Sequence, residues 1–483
     1  MLHRITVLPQ KRNIEAAAGE NLLQVLRRTG LTVDAPCGGN GSCGKCKVVI
    51  DGKEVLACQT RIDRAMTVTL PDAETVNILT GGAMLPAVHS QEEGFLLAFD
   101  IGTTTVAAYL LEAKTCKELA CESMMNPQAA FGADIISRIQ HALHGHMDEL
   151  TAVIRKCIAD LASGLCKKAG ITPGQVTMVS IVGNPAMQQI FLGFRPDNLA
   201  QIPFAPVLTE VKTQKAQAFL PICGDAALLI VPNISGFVGA DTVACILATG
   251  MHNAEEMTLL VDIGTNGEMV LGNKHRMVAC SAAAGPALEG ANIQFGMRGQ
   301  PGAIDHVRIE NGQMLCSVIG GGTAVGICGS GLIDAVAAAL EMGLLNARGK
   351  ILTADSFIHL TEAVYLTQED IRQVQLSKGA IAAGIRLMAD HLGVSLRDID
   401  TVHLAGAFGT YMDPESACRI GLLPEELADR ITAVGNAAGG GARILACSRD
   451  AREWAQEIVS RTEALELAAQ PGFPRIFARN MRF

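Results

Sequence analysis

Apolar positions along this chain change period several times, and the changes mark its elements. Leu2 to Leu8 and Cys46 to Ile50 alternate as half-buried strands do, Glu20 to Arg28 carries its apolar residues at helical spacing, and Met66 to Leu70 alternates again. Beyond residue 94 the strands become continuous apolar runs, as strands covered on both faces do. Leu96-Leu-Ala-Phe-Asp100-Ile-Gly102-Thr103-Thr104-Thr105 is such a run ending in Asp and a Gly/Thr turn, and Leu259-Leu-Val-Asp262-Ile-Gly264-Thr265-Asn266-Gly267 repeats it.

The repetition continues beyond the turns. A second strand follows each turn, Val106 to Leu111 and Glu268 to Leu271, and then a third. Helices at Met147 to Lys168 and Ile371 to Leu392 lead into strands at Met178 to Gly183 and Thr401 to Ala405. A last strand and helix close each half: Leu228 to Pro232 with Gly239 to Ala248, and Ile431 to Val434 with Gly440 to Cys447. The order β-β-β-α-β-α-β-α, read twice, predicts an α/β protein of two similar halves facing a cleft. Residues 1–73 form a small α+β domain, 74–94 a linker, 95–257 the first half and 258–483 the second.

Cys37, Cys43, Cys46 and Cys58 stand in a C-x5-C-x2-C-x11-C pattern within the small domain. Three close cysteines and a distant fourth suit a [2Fe–2S] cluster, whereas four-cysteine zinc sites usually pair two CxxC knuckles. The interleaved Gly38, Gly39, Gly41 and Gly44 let the loop turn its N–H groups toward sulfur. With the flanking strands and helix, this is the β-grasp ferredoxin arrangement. The same stretch nearly matches a phosphate-binding P-loop, but Cys46 stands where that loop needs Ser or Thr, and no long helix follows. The other eleven cysteines are scattered and read as small core residues.

The paired turns point to nucleotide chemistry. Gly102, Thr103, Thr104, Gly264, Thr265 and Asn266 offer backbone N–H groups and side chains to phosphate oxygens. Asp100 and Asp262, at the strand tips, can hold hydrated Mg²⁺ or orient an attacking water. The turn Gly406-Ala407-Phe408-Gly409 leaves room for an adenosine, and Gly435-Asn436 with Gly439 to Gly441 suits the hinge side. Gly329 and Ser330, at the start of a helix over Leu332 to Leu340, either touch nucleotide or only pack that helix on its sheet.

Charge narrows the partners. The net charge is −9, yet residues 1–75 carry ten Lys/Arg against eight Asp/Glu, so the body is acidic and nucleic acid is not expected. The chain starts as a strand and has no apolar run long enough for a bilayer, so a cytoplasmic location is expected.

Taken together, the chain resembles the reductive activators of corrinoid proteins, ATPases of the ASKHA superfamily (duplicated RNase H-like folds of the actin, Hsc70 and sugar kinase type) with an N-terminal [2Fe–2S] ferredoxin. Phe131-Gly-Ala-Asp134, Val182-Gly-Asn184, Gly236-Phe-Val-Gly-Ala-Asp241, Ala284-Gly-Pro-Ala-Leu-Glu289 and Gly326-Ile-Cys-Gly-Ser-Gly331 add to the likeness. The resemblance implies one-electron reduction of Co(II) to Co(I) in a methyltransferase corrinoid protein, coupled to ATP. It also implies an upstream low-potential reductant and a homodimer. Two features depart from the family: only about twenty residues (Asp72 to Gly94) separate ferredoxin from ATPase where some members carry another domain, and Gly183-Asn-Pro-Ala-Met-Gln-Gln189 has Pro and Gln where relatives often have Thr and His. An activator of a radical dehydratase is the main alternative, although activators of that type usually hold a [4Fe–4S] cluster across a dimer. A small-molecule kinase with a redox-sensing ferredoxin is the other.

Overall fold

The computed structural model describes residues 2–29, 31, 33, 39, 41, 46–70, 92–220 and 224–483. Cys37 and Cys43 therefore lie outside the described residues, as does most of the expected linker.

The N-terminal unit is a five-stranded sheet of β1 (Leu2–Leu8), β2 (Arg12–Ala17), β3 (Lys47–Ile50), β4 (Lys53–Leu56) and β5 (Met66–Thr69), in the order β2-β1-β5-β3-β4. β1 and β5 run parallel, and the other pairs are antiparallel. Helix α1 (Leu22–Arg28) is capped by Asn21, whose side chain accepts from the Gln24 amide, and buries Leu22, Leu23, Val25 and Leu26. These pack with Ile5, Val7, Val48 and Val68 into one core. Strands β2 and β4 were not expected. Both are short and largely polar, with only Ile14 and Ala16 buried in β2 and no buried residue in β4, so apolar patterning has little to mark them.

The first half of the remainder holds β6 (Phe95–Ile101), β7 (Thr105–Glu112), β8 (Glu118–Met125), α2 (Ile135–His141), α3 (Met147–Ala169), β9 (Val176–Gly183), α4 (Pro185–Leu192), β10 (Lys212–Lys215), β11 (Ala227–Ile230) and α5 (Ala240–Thr249). The second opens with β12 (Thr258–Ile263), β13 (Gly267–Gly272) and β14 (Met277–Ala282). A segment follows with β15 (Ala303–Glu310), β16 (Gln313–Val318), β17 (Gly326–Ile327), α6 (Gly329–Glu341), β18 (Ile358–His359) and β19 (Tyr365–Leu366). Then come α7 (Gln368–Leu392), β20 (Thr401–Ala405), α8 (Gly406–Tyr411), α9 (Pro414–Arg419), β21 (Ile431–Gly435), α10 (Ala437–Cys447), α11 (Arg449–Arg461), β22 (Thr462–Ala464) and α12 (Phe473–Asn480).

The two large sheets have matching orders, β11-β9-β6-β7-β8 and β21-β20-β12-β13-β14, with β10 and β22 added at opposite edges. In both, the first three strands form an antiparallel meander and the next two lie parallel to the first. The duplication expected from the repeated Asp-Gly-Thr runs is present strand for strand. One local expectation fails: 406–409 is the start of helix α8, because β20 ends at Ala405 and that residue serves as the extended N-cap.

Helices α5 and α10 join the halves. One apolar cluster contains Leu96, Ala98 and Tyr109 of the first sheet, Leu260, Val270 and Ala279 of the second, and both helices between them. A Cβ placed on Gly441 would lie 2.0 Å from the Ala244 carbonyl oxygen, and one on Gly439 would lie 2.5 Å from the Tyr109 hydroxyl. Glycine is what lets the helices approach this closely. Replacing Gly441 by alanine should cost about 1–3 kcal/mol through overpacking. Urea unfolding should show a lower midpoint for that variant than for the wild-type protein.

Candidate functional site

The cleft site is built on the C-terminal ends of β6 and β12, where each buried strand delivers a carboxylate and then turns. In the first half, the turn is fixed from below. The Asn126 amide donates to the Gly102 carbonyl at 2.8 Å, and the Arg138 guanidinium donates to the Thr103 carbonyl at 2.6 Å and the Gly132 carbonyl at 2.9 Å. Arg138 is fully buried, and burial holds its pKa down at about 10. Asp134 caps α2 through a reciprocal pair with Ser137, which sets the helix that carries Arg138. Asn126 and Arg138 thus satisfy the buried carbonyls of Gly102 and Thr103 and fix the turn from below.

The Asn184 side chain donates to the Thr103 hydroxyl at 3.2 Å and caps α4 by accepting from the Met187 amide. In the second half, the Gly264 amide donates to the Asn266 carbonyl at 2.9 Å, which closes that turn. Gly406, at φ +85°, stands directly beneath: a Cβ there would lie 2.7 Å from the Asp262 Oδ1. Glycine at this position is required both by the left-handed backbone and by the carboxylate.

Four carboxylates converge in the cleft. Burial pushes Asp100 up to about 7, reinforced by the negative charge of Asp241 and opposed by the Asn436 amide. Burial likewise raises Asp241 to about 7 and Asp262 to about 6. Glu268 is pushed well above the carboxylate range by burial and by Asp241 and Asp262. The Cys245 thiol, which donates to Asp262 Oδ2 at 3.6 Å, is raised by the same burial and charges. Asp100, Asp241, Asp262 and Glu268 are each half-buried, and Cys245 is fully buried. Among the described residues, no lysine or arginine forms an ion pair with any of the four.

Among the described residues, no three of these carboxylates bring oxygens within 4.8 Å of one another, so a hard cation there would have to be held largely through its own waters. Buried Thr242 is turned to Asp241: its amide donates to Asp241 Oδ1 at 2.8 Å, and amide and hydroxyl together oppose the upward push of burial on that carboxyl.

Glu289 bridges the halves. Its carboxylate accepts from the Thr265 hydroxyl at 2.7 Å and from the Thr104 hydroxyl at 3.3 Å, one from each turn.

Other expected residues are placed less directly. Phe408 lies against Gly329, where a Cβ would be 2.7 Å from the ring and 1.9 Å from the Leu288 carbonyl oxygen. Gly409 is buried against Leu404. The Ser330 hydroxyl is buried and donates to the Asp305 carbonyl at 2.9 Å, so it is turned into the protein. Asn436 caps α10 and donates to the Tyr109 hydroxyl at 3.2 Å, placing the hinge glycines beside Asp100. Sequence reasoning did not single out Asn126, Arg138, Asp241, Glu268 or Glu289 for roles in the site. Asp241 and Glu289 stand in short motifs that could have drawn attention. Arg138 looks like any helical surface arginine until its burial is seen.

In the ferredoxin unit, Cys46 is fully buried and its sulfur accepts the Cys58 amide at 3.4 Å. Gly39 and Gly41 adopt φ +101° and +87°. An N–H directed at a ligand sulfur and left-handed glycines in the loop both fit an iron–sulfur cluster.

Comparison with known proteins agrees with this layout. Residues 5–63 match the 2Fe-2S iron-sulfur cluster binding domain, 95–254 the RACo middle region, and 256–483 the C-terminal domain of RACo, the ASKHA domain. The chain is 30% identical to the corrinoid activation enzyme RamQ of Eubacterium limosum, covering 98% of each protein. It is 26% identical to the [Co(II) methylated amine-specific corrinoid protein] reductase of Methanosarcina barkeri, over 76% of this chain and 73% of that one. Among solved structures, a reductive activator for a corrinoid, iron-sulfur protein superposes with a TM-score of 0.73 at 28% identity, over 100% of this chain and 98% of that one.

The raised carboxylates predict a pH dependence with a definite sign. Between the unfolded pKa near 4 and the folded values near 6 to 7, the native state binds more protons, so stability without Mg²⁺ should fall as pH rises from 5 to 7. Urea unfolding across that range should show the slope, and Asp241→Asn should flatten it. Matched part by part by these family models and over nearly its whole length by RamQ, this chain belongs to the RACo family of corrinoid-activating ASKHA proteins.

Proposed function

We propose that this protein is an ATP-dependent reductive activator of a corrinoid protein, passing one electron from a [2Fe–2S] cluster to Co(II) and regenerating Co(I). The observation that carries this reading is the union, in one chain, of a cluster-type cysteine pattern with a duplicated pair of sheets whose Asp-Gly-Thr turns are bridged by Glu289 and accompanied by four half-buried carboxylates. A kinase would need the cleft but not the cysteines. A simple ferredoxin would need the cysteines but not the cleft.

In this reading Cys37, Cys43, Cys46 and Cys58 hold the cluster, which supplies the electron. Plant-type clusters sit near ~−400 mV. Each further ~59 mV of one-electron gap costs about 1.4 kcal/mol, so a client of lower potential is reduced only if something biases the exchange. The cleft supplies that bias when nucleotide closes the halves about α5 and α10.

Residue roles follow from position. The turns Gly102 to Thr104 and Gly264 to Asn266 bind phosphates. Asp100 and Asp262, joined by Asp241 and Glu268, hold a Mg²⁺ ion and its waters. The strand-to-helix junction at Gly406 to Gly409 and the Gly435 to Gly441 stretch flank the nucleoside. Arg138 and Asn126 keep the first turn shaped without touching ligand. Ser330, turned toward Asp305, packs α6 instead of meeting nucleotide, and Gly329 makes room for Phe408. The partner is a corrinoid protein; an upstream reductant and a homodimer complete the scheme.

The test is an anaerobic absorbance titration of a Co(II) corrinoid protein with a low-potential reductant and this protein, with and without Mg-ATP. A Co(I) band that requires ATP and is lost on Cys58→Ala is the expected result. Asp262→Asn should lower ATP hydrolysis by at least about 100-fold, the scale seen when one electrostatic group is removed at a phosphoryl-transfer site, while leaving the cluster's visible spectrum unchanged. Failure to form Co(I) with several corrinoid proteins, despite ATP hydrolysis and an intact cluster, would reject a corrinoid client.

A further inference from the structure

Glu289 has the geometry of a ligand that is already part of the protein. Its two carboxylate oxygens take the Thr104 and Thr265 hydroxyls, which lie in the two phosphate turns and in opposite halves of the cleft. An anion accepting from both threonines occupies the position that a terminal phosphate needs, since only a group lying between the turns can reach the two together. The residue is held there firmly. It ends a short helical turn, Pro286–Glu289, whose Ala287 and Leu288 are buried in the core of the second half.

We propose that Glu289 is an internal stand-in for the terminal phosphate, so that the cleft distinguishes nucleoside triphosphate from shorter nucleotides by whether the ligand displaces this carboxylate. The inference rests on the ATP-site reading above and adds to it the residue that makes the site read phosphate number.

The chemistry is competition between like charges. A triphosphate that reaches both turns brings its own anionic oxygens to the two threonine hydroxyls. Carboxylate and phosphate cannot share those hydroxyls without like-charge repulsion in an enclosed site. The carboxylate must therefore swing out, and the bridge between halves passes from the protein to the ligand. A monophosphate or an adenosine does not span the turns and leaves Glu289 bonded.

Displacement has a route outward. The Leu288 carbonyl, one residue before Glu289, abuts Gly329 so closely that a Cβ there would lie 1.9 Å away, and Gly329 in turn abuts the Phe408 ring. Any shift of the Glu289 turn therefore presses on the start of α6 and on the strand-to-helix junction beside the nucleoside. Close packing at glycine transmits such a shift because there is no slack to absorb it.

The experiment is calorimetric titration of the full-length, cluster-loaded protein with Mg²⁺ and a non-hydrolysable ATP analogue (AMPPNP), and separately with AMP. Where the Glu289-bonded state dominates, apparent affinity is reduced by the small fraction of protein whose two threonines are free. Glu289→Gln, isosteric but uncharged, should bind AMPPNP about tenfold more tightly than wild type and bind AMP unchanged. Glu289→Ala should shift in the same direction, and a melting temperature near wild type for either variant separates this result from misfolding. Unchanged or weaker AMPPNP binding in both variants, with AMP binding retained, would overturn the proposal while leaving the ATP site standing. Absence of AMPPNP binding in wild type and variants alike would reject the ATP-site reading and this inference together.

Discussion

The crossing of α5 and α10 is the contact on which the cleft depends. Each helix closes one half, yet both sit in a core that draws side chains from both large sheets. The approach is close enough to require glycine where α10 meets the Ala244 carbonyl and the Tyr109 hydroxyl. A buried seam of this kind cannot deform smoothly, since tightly packed interfaces shift between discrete arrangements. It leaves the halves a narrow set of relative positions, and the nucleotide turns lie on either side of it. Asn436 ties the seam to the chemistry: it caps α10, bonds Tyr109 and stands beside Asp100.

Charge placement then explains why an empty cleft is costly and a filled one is not. Buried carboxylates without cations near them hold protons at pH values where exposed ones would be ionised. Asp100, Asp241 and Glu268 each feel a neighbouring carboxylate, Asp262 in every case, so the cluster favours fewer negative charges than four. On the proposed reading, a hydrated cation arriving with the nucleotide would relieve that crowding. The fully buried Arg138 works in the opposite sense: its guanidinium is satisfied by backbone carbonyls and adds shape to the first turn from below.

Much of this was legible in the sequence because duplication leaves two copies of each signal. A buried run ending in Asp-x-Gly-Thr is ordinary once and informative twice, and the strand orders of the two sheets agree with that reading. The polar edge strands β2 and β4 were missed because they bury few or no side chains. The 406–409 segment reads as a glycine turn, but a left-handed Gly406 can also begin a helix directly at the strand tip. Asp241, Glu268 and Glu289 were not assigned roles because convergence in space leaves no spacing rule in the chain. Thr104 and Glu289 are 185 residues apart and meet only once the halves face each other.

Coupling between nucleotide and electron transfer has to pass through parts that connect the halves, and the structure offers two of different kinds. The α5–α10 seam is apolar in its core, although α5 also carries Asp241 and Cys245 to the carboxylate cluster. The bridge at Thr104, Glu289 and Thr265 is polar and made of the same hydroxyls a phosphate would use. A hinge that is always present and a clasp that a ligand can replace are together what a nucleotide-driven change of shape requires. Binding energy can shift a conformational equilibrium only where the two states differ in contacts with the ligand. On the proposal that a triphosphate displaces Glu289, that difference lies at the polar bridge, where protein and ligand would compete for the Thr104 and Thr265 hydroxyls.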